Sequence, residues 1–212
     1  MAENAAGGAR AGTGHARWYE LCMDTSEESP RLGEFWAAVI GGRHVSSESD
    51  PAGEVVVDGV EGGGIAMCPV PETKTVKHRV HLDVYTADVA DLEALGATVL
   101  IPSGESGFRW TVMADPEGGE FCAFVRDPAF APGLPDYRLH GVVVDCADPE
   151  RVARWWGDRF GIEPTVVDRL TDDFAHIDRS LNASGFHHLW RKRAHVHHHL
   201  MLIACVRIGV DG

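Results

Sequence analysis

One stretch of the chain, residues 77–124, constrains the fold more than any other, because it predicts a strand, a helix and a hairpin in a fixed order. Residues 80–85 alternate between apolar and polar side chains, as expected of a strand with two different faces. His81, Asp83 and Tyr85 share the polar face. A strand with polar groups on one face is expected to line a cavity or to face water there.

The helix and the hairpin of this stretch are marked by residues that begin, end or turn the backbone. Asp88 predicts a helix N-cap and Gly96 predicts the end of that helix. Residues 109–114 and 120–125 read as strands that flank a turn at residues 115–119, where Pro and Gly supply the backbone angles. The unit is therefore strand, helix, strand and strand.

The residues before this stretch predict a similar unit. Residues 18–24 alternate as a strand, and Ser29-Pro30 predicts an N-cap followed by proline at the first helical position. Apolar side chains then recur at helical spacing until Gly41-Gly42, which indicates an amphipathic helix. Residues 54–58 and 64–70 predict two further strands. Residues 18–70 thus have the same order of elements as the unit at residues 77–124.

Charge and composition exclude several classes of function. The chain has 212 residues, a formal net charge of −13 and a pI near 5.3, whereas nucleic acids and anionic membranes are bound by basic surfaces. The first residues lack the apolar core of a secretory signal, and no apolar run approaches membrane-spanning length. The five cysteines are scattered and contain no CxxC pair. These features predict a cytoplasmic protein that handles a small molecule, with no nucleic acid or membrane partner.

An internal repeat begins after a proline-rich boundary. Residues 139–161 restate the first strand and helix, with Trp155 and Trp156 in the places of Phe35 and Trp36. The residues after Ile177 contain no counterpart of the rest of the unit, and they are basic and rich in histidine. Two interpretations of them stay open: a second copy whose end was truncated or frame-shifted, or a terminal strand at residues 200–208 that completes a sheet.

Three motifs together resemble a known family. HLDV at residues 81–84, DLEALGATV at 91–99 and WTVMADPEGGEF at 110–121 occur in the order found in the glyoxalase-like domain of the vicinal oxygen chelate superfamily. The connector PVPETKTVK at 69–77 is also similar to one found in two-domain members. The resemblance implies an α+β fold in which paired βαβββ modules form a bowl, a partly open barrel of about eight strands, with a partial second copy after it.

The repeat and the resemblance together divide the chain into five parts. We expect a disordered tail at residues 1–16, the glyoxalase-like domain at 17–126 and a linker at 127–137. A partial second module is expected at 138–177 and a divergent, His-rich tail at 178–212.

The resemblance also implies where a metal would bind. His81 falls on the ligand position of the second module's first strand, and Glu20 falls on or near the matching position of the first module. The glutamate expected from the last strand is replaced by Cys122. His81 and Glu20 are therefore the candidate ligands for Fe, Mn, Ni or Zn, with Asp83 as a candidate catalytic base, and no cofactor is certain. Because two of three positions depart from the family pattern, a bowl without metal is the favoured alternative.

Other residues are candidates for contacts with a ligand. Trp18, Arg109, Trp110 and Cys122 could line a binding pocket, although strand aromatics more often lie in a core. Histidines 187, 188, 195, 197, 198 and 199 are expected to bind metal only adventitiously. Two functions are consistent with these residues: sequestration of a small organic molecule in the bowl, or a metal-dependent lyase, isomerase or dioxygenase acting on a small vicinal-oxygen substrate. A homodimer in which another chain supplies strands is a further prediction.

Overall fold

The computed structural model describes residues 16, 18–26, 29–105, 109–126, 134–161, 165–167, 187–191 and 203–207. In these residues the chain forms twelve strands and three helices: β1 Leu21–Thr25, α1 Arg31–Ile40, β2 Arg43–Ser47, β3 Asp50–Val56, β4 Ile65–Pro69, β5 Val80–Thr86, α2 Val89–Ala94, β6 Thr98–Ile101, β7 Thr111–Ala114, β8 Glu120–Val125, β9 Leu139–Asp145, α3 Pro149–Phe160, β10 Thr165–Val167, β11 His187–Arg191 and β12 Ile203–Arg207. None of the helices in this described part is both long and apolar enough to cross a membrane.

The first eight strands and two helices form two βαβββ modules with the same internal order. The first sheet has the strand order β1-β4-β3-β2, and the second contains the equivalent order β5-β8-β7-β6. In each module the first strand pairs in parallel with the last, and the remaining pairs are antiparallel. The sheets do not close into a barrel in the described residues. The predicted α+β class with paired modules around an open bowl is therefore confirmed.

Helix α1 forms because its apolar residues lie on one stripe and both of its ends are marked. Its buried side is mainly apolar and includes Leu32, Phe35, Trp36, Val39 and Ile40. Pro30 occupies the N-cap position, one residue after the predicted Ser29, and Gly41 ends the helix in the left-handed conformation with φ 85°. Trp36 lies edge-on against Phe121 of β8, with ring centroids 5.3 Å apart, so α1 joins the core of both modules.

Within the two modules, two strands have no local signal in the sequence, and each occupies the same place in its module. β2 and β6 both follow a helix and both lie at a sheet edge. Most of their residues are exposed, so the alternation of buried and exposed side chains that predicts a strand is lost. β3 begins at Asp50, four residues before the predicted strand, because Pro51 and Gly53 obscure its first half.

A carboxylate joins the two modules directly. Glu117, in the turn between β7 and β8, accepts hydrogen bonds from the Thr25 hydroxyl at 2.5 Å and from the Ser26 backbone and hydroxyl at 2.7 and 2.8 Å. The turn itself is held by Asp115, whose carboxylate accepts from the backbone N–H groups of Glu117 and Gly119. The Asp-Pro-Glu-Gly sequence therefore forms both the hairpin turn and the contact between the sheets.

The second sheet continues beyond the two modules. β9 pairs antiparallel with β5, and β12, β11 and β10 come next in that order, so this sheet has eight strands. Helix α3 begins with the Asp148 side chain accepting from the Arg151 N–H and with Pro149 in the first turn. Arg138, just before β9, donates to the carbonyl oxygens of Val39 and Ala38 at the end of α1. The described parts of this region thus extend the second sheet rather than standing apart from it.

Candidate functional site

Three buried polar side chains meet on one face of the second sheet. The alternation along β5 puts His81 and Asp83 on the same face, as predicted. β8 runs parallel to β5 with Cys122 opposite Asp83, and residues opposite each other on neighbouring strands share a face. His81, Asp83 and Cys122 are only 5%, 4% and 4% exposed. Strand pairing, which no local pattern reveals, therefore brings the cysteine to the His-x-Asp strand.

The distances among these side chains suit a metal ion. The Nδ1 atom of His81 lies 3.9 Å from Oδ1 of Asp83 and 3.9 Å from Sγ of Cys122, and the three ligand atoms all lie within 4.8 Å of one another. Donor atoms around a tetrahedral zinc ion are about 3.3–3.6 Å apart, given zinc distances of about 2.0–2.3 Å. The two 3.9 Å separations exceed these values by about 0.3–0.6 Å, and the third pair lies within 4.8 Å, so the three side chains must move inward to hold one zinc ion together.

Cys122 is held in its neutral form by its surroundings. Burial raises the pKa of its thiol well above the ordinary value, and the negative charge of Asp83 adds to this effect. The thiolate is the reactive form of cysteine, so Cys122 is a poor nucleophile in this state. A bound divalent cation would reverse the balance, because coordination stabilises the thiolate and releases its proton.

A second carboxylate contacts the far side of the His81 ring. Asp145, at the end of β9, has Oδ1 3.5 Å from Nε2 of His81, and the Lys77 ammonium contacts its Oδ2. Burial alone would raise the pKa of Asp145, but the nearby His81 ring and the hydrogen bond from Lys77 outweigh burial and lower the pKa below its ordinary value. The carboxylate is therefore ionised near neutral pH. Asp145 was not among the residues predicted from the sequence, where its one signal is a carboxylate at the end of an otherwise apolar strand.

Aromatic rings continue along the second sheet beside this group. The Tyr85 and His140 rings are 4.5 Å apart, and Phe124 meets His140 edge-on and stacks on Trp110. The Arg126 guanidinium lies 4.5 Å from the Tyr85 ring centroid. Trp110, predicted to line a pocket, is thus a buried member of this row. The neighbouring Arg109, which carried the same prediction, is exposed.

The remaining predicted residues, Trp18 and Glu20, lie in the first sheet. They line a cavity of about 440 Å³, within the usual range for small-molecule sites. The Trp18 indole donates to the Gly62 carbonyl at 2.8 Å, which fixes one wall. The other residues that line this cavity are Tyr19, Glu54, Val55, Val56, Val57, Val60, Glu61, Gly62 and Gly64. Glu20 therefore lies at this cavity and is not one of the three clustered donors His81, Asp83 and Cys122.

The predicted histidine cluster lies only partly within the described residues. Residues 187 and 188 belong to β11, and residues 195, 197, 198 and 199 lie outside the described residues. The prediction of adventitious metal binding by these histidines stays a prediction, as does the assignment of residues 1–16 to a tail.

Comparison with known proteins places the first two modules in a family. Residues 20–124 match the family model described as a glyoxalase-like domain. Among solved structures, a hypothetical protein from S. aureus is 16% identical, with 54% of this chain and 96% of that chain covered and a TM-score of 0.37. No curated protein matches the chain. The matched range ends at Phe124 and so contains His81, Asp83 and Cys122 but not Asp145.

Proposed function

We propose that the glyoxalase-like domain formed by residues 20–124, a domain of the vicinal oxygen chelate superfamily, holds one divalent metal ion on the bowl face of its second sheet. The observation that carries this proposal is the group of three buried donors, His81, Asp83 and Cys122, within 4.8 Å of one another. Burying polar or charged side-chain atoms costs free energy unless they are hydrogen-bonded, paired with an opposite charge or bound to a cation.

The donor set favours zinc among the candidate metals. A thiolate and an imidazole are the ligands that zinc prefers in proteins, and a carboxylate commonly joins them. A zinc ion held by His81, Asp83 and Cys122 would supply Lewis-acid chemistry toward a carbonyl or enolate. Asp83 then serves as a ligand, which makes it unsuited to the role of general base that the sequence suggested.

The proposal is tested by metal content in the full-length, tag-free protein. Zinc bound at equilibrium against a competing chelator is measured for the wild type, His81→Ala and Cys122→Ala. We expect both variants to lose one equivalent of tightly bound zinc. Histidines of the C-terminal region contribute the same amount of bound zinc to every variant, so the difference in zinc content between wild type and variant reports the bowl site alone.

His78→Ala is the matched control, because His78 is exposed and lies just before β5, three residues before His81. This variant should keep the zinc content of the wild type. Equal zinc content and affinity in His81→Ala, Cys122→Ala and His78→Ala would reject the metal site.

The cavity of the first sheet supports a second candidate function, sequestration of a small organic molecule without metal. Trp18 and Tyr19 offer aromatic surface, and Glu20 and Glu54 offer acceptors for a polar or cationic group. A thermal-shift screen of amines, neutral isosteres and carboxylates tests this function. A stabilising compound whose effect disappears in Trp18→Ala and Glu20→Gln, and persists in His81→Ala, would favour sequestration over metal chemistry.

A further inference from the structure

We infer that Asp145 is a positioning residue for this centre: its carboxylate holds the proton of the His81 imidazole on Nε2 and thereby leaves Nδ1 directed at Asp83 and Cys122 as the metal-binding atom. The inference rests on the proposed metal site and adds to it a residue from β9, which lies beyond the matched glyoxalase-like domain.

The two ring nitrogens of His81 face different partners. Nδ1 is the atom near Asp83 and Cys122, at 3.9 Å from each, whereas Nε2 faces Asp145 at 3.5 Å. A neutral imidazole carries one N–H, and the stronger acceptor decides which nitrogen bears it. The closer carboxylate is that of Asp145, so the neutral ring is expected to be protonated at Nε2.

Asp145 is itself fixed by residues that precede β5. Its backbone N–H donates to the Arg79 carbonyl at 2.7 Å, and its carbonyl accepts from the Arg79 guanidinium at 3.3 and 3.2 Å. The Lys77 ammonium contacts the carboxylate oxygen that does not face His81. Both the backbone and the carboxylate of Asp145 are thus anchored, and the carboxylate keeps one oxygen for the imidazole.

This arrangement has the form found around histidine ligands in metalloproteins. A ligating histidine commonly donates its second N–H to a carboxylate, which fixes the ring and increases the basicity of the ligating nitrogen. Asp145 contacts Nε2 of His81, the ring nitrogen that does not face Asp83 and Cys122, so it acts through His81 and is not a fourth ligand. β9 therefore contributes to a site whose ligands all belong to the second module.

The ring tautomer and the metal affinity are measured together in the full-length protein. Two-bond proton–nitrogen spectra of the metal-free, 15N-histidine-labelled protein report the His81 tautomer, with His81→Ala used to assign the ring. Cobalt(II) titration reports the site through the thiolate charge-transfer band that Cys122→Ser removes, and zinc competition against bound cobalt gives the zinc affinity. The variants are Asp145→Asn and, as a charge-matched control, Asp58→Asn, whose carboxylate is 80% exposed.

We expect the Nε2–H tautomer in the wild type and in Asp58→Asn, and a mixture of tautomers in Asp145→Asn. Zinc affinity should fall about 10- to 100-fold in Asp145→Asn and stay unchanged in Asp58→Asn. Lys77→Met, which frees the carboxylate without removing it, should weaken zinc binding by a smaller factor. This variant also serves if Asp145→Asn fails to fold.

An Nδ1–H tautomer in the wild type would overturn the inference, with or without metal. So would zinc affinities and tautomers that are the same in Asp145→Asn, Lys77→Met and Asp58→Asn. Absence of any band that depends on Cys122 would instead reject the proposed metal site, while the tautomer of the metal-free protein would still decide the role of Asp145.

Discussion

Replacing Glu117 by alanine should destabilise the protein by about 2–3 kcal/mol, because this carboxylate is a direct link between the two modules. Its loss leaves the Thr25 hydroxyl, on a residue that is 1% exposed, without the acceptor at 2.5 Å, and a buried hydroxyl that loses its partner costs about 1–3 kcal/mol. The two contacts from Ser26 are exposed and can be replaced by water, so they add about 0.5–1 kcal/mol together.

Urea unfolding of the full-length protein measures this change. With a slope of about 2 kcal/mol/M, the midpoint should fall by about 1–1.5 M in Glu117→Ala. Glu93→Ala is the matched control, since Glu93 is exposed on α2 and should change stability by no more than about 0.5 kcal/mol. Equal midpoints for the two variants would show that the contact between the modules does not contribute as reasoned.

The same contact has a predictable dependence on pH. Burial alone would raise the pKa of Glu117, but the hydrogen bonds from Ser26 and Thr25 lower it below its ordinary value of 4.5. The unfolded chain therefore binds the proton more readily, and the contribution of Glu117 is complete above about pH 4.5 and is lost as the pH falls through the folded pKa. The stability difference between the wild type and Glu117→Gln should narrow below that pH, and a constant difference down to about pH 3 would contradict this linkage.

Two further predictions concern positions with matched controls. Gly41→Ala should lower the free energy of unfolding by about 2–4 kcal/mol, because φ at Gly41 is +85° and an added Cβ would lie 1.9 Å from the Asp136 carbonyl oxygen. Gly59→Ala is its control: φ is +76° but no atom lies within 4 Å of the added Cβ, so the loss measured by thermal unfolding should be about 1 kcal/mol. Iodoacetamide should alkylate the exposed Cys22 in the native protein and should reach Cys122 only after unfolding, because Cys122 is buried and burial raises the pKa of its thiol. Peptide mass spectrometry measures both labelling rates. Similar rates for the two cysteines in the native protein would contradict the described burial of Cys122.

Elements with local signals at both ends could be predicted from the sequence. α1 lies between a proline and a glycine, and β8 follows a turn whose Pro-Glu-Gly-Gly residues fix its start. The edge strands β2 and β6 carry no such signal, since exposure removes the alternation that identifies a strand. Both strands belong to the βαβββ module that the family resemblance implies, but no local pattern gives their bounds.

The candidate site was predictable only where its residues share a strand. Alternation put His81 and Asp83 on one face, and the resemblance pointed to Cys122, but the parallel pairing of β5 with β8 is a contact between residues about forty positions apart. Asp145 depends on the pairing of β9 with β5, which no motif announces. Glu20 was predicted as a ligand partner of His81, and its place in the first-sheet cavity depends on the approach of residues 54–64 to the first strand, which its neighbours in sequence do not reveal.

The hydrogen bonds between β5 and β9 join the two modules matched by the family to the segment that follows them. A recombination that ended the gene near residue 126 would turn β5 from an internal strand into a sheet edge, and would remove Val142 and Val143, which lie opposite Leu82 and His81. An apolar sheet edge of that kind is a template for aggregation.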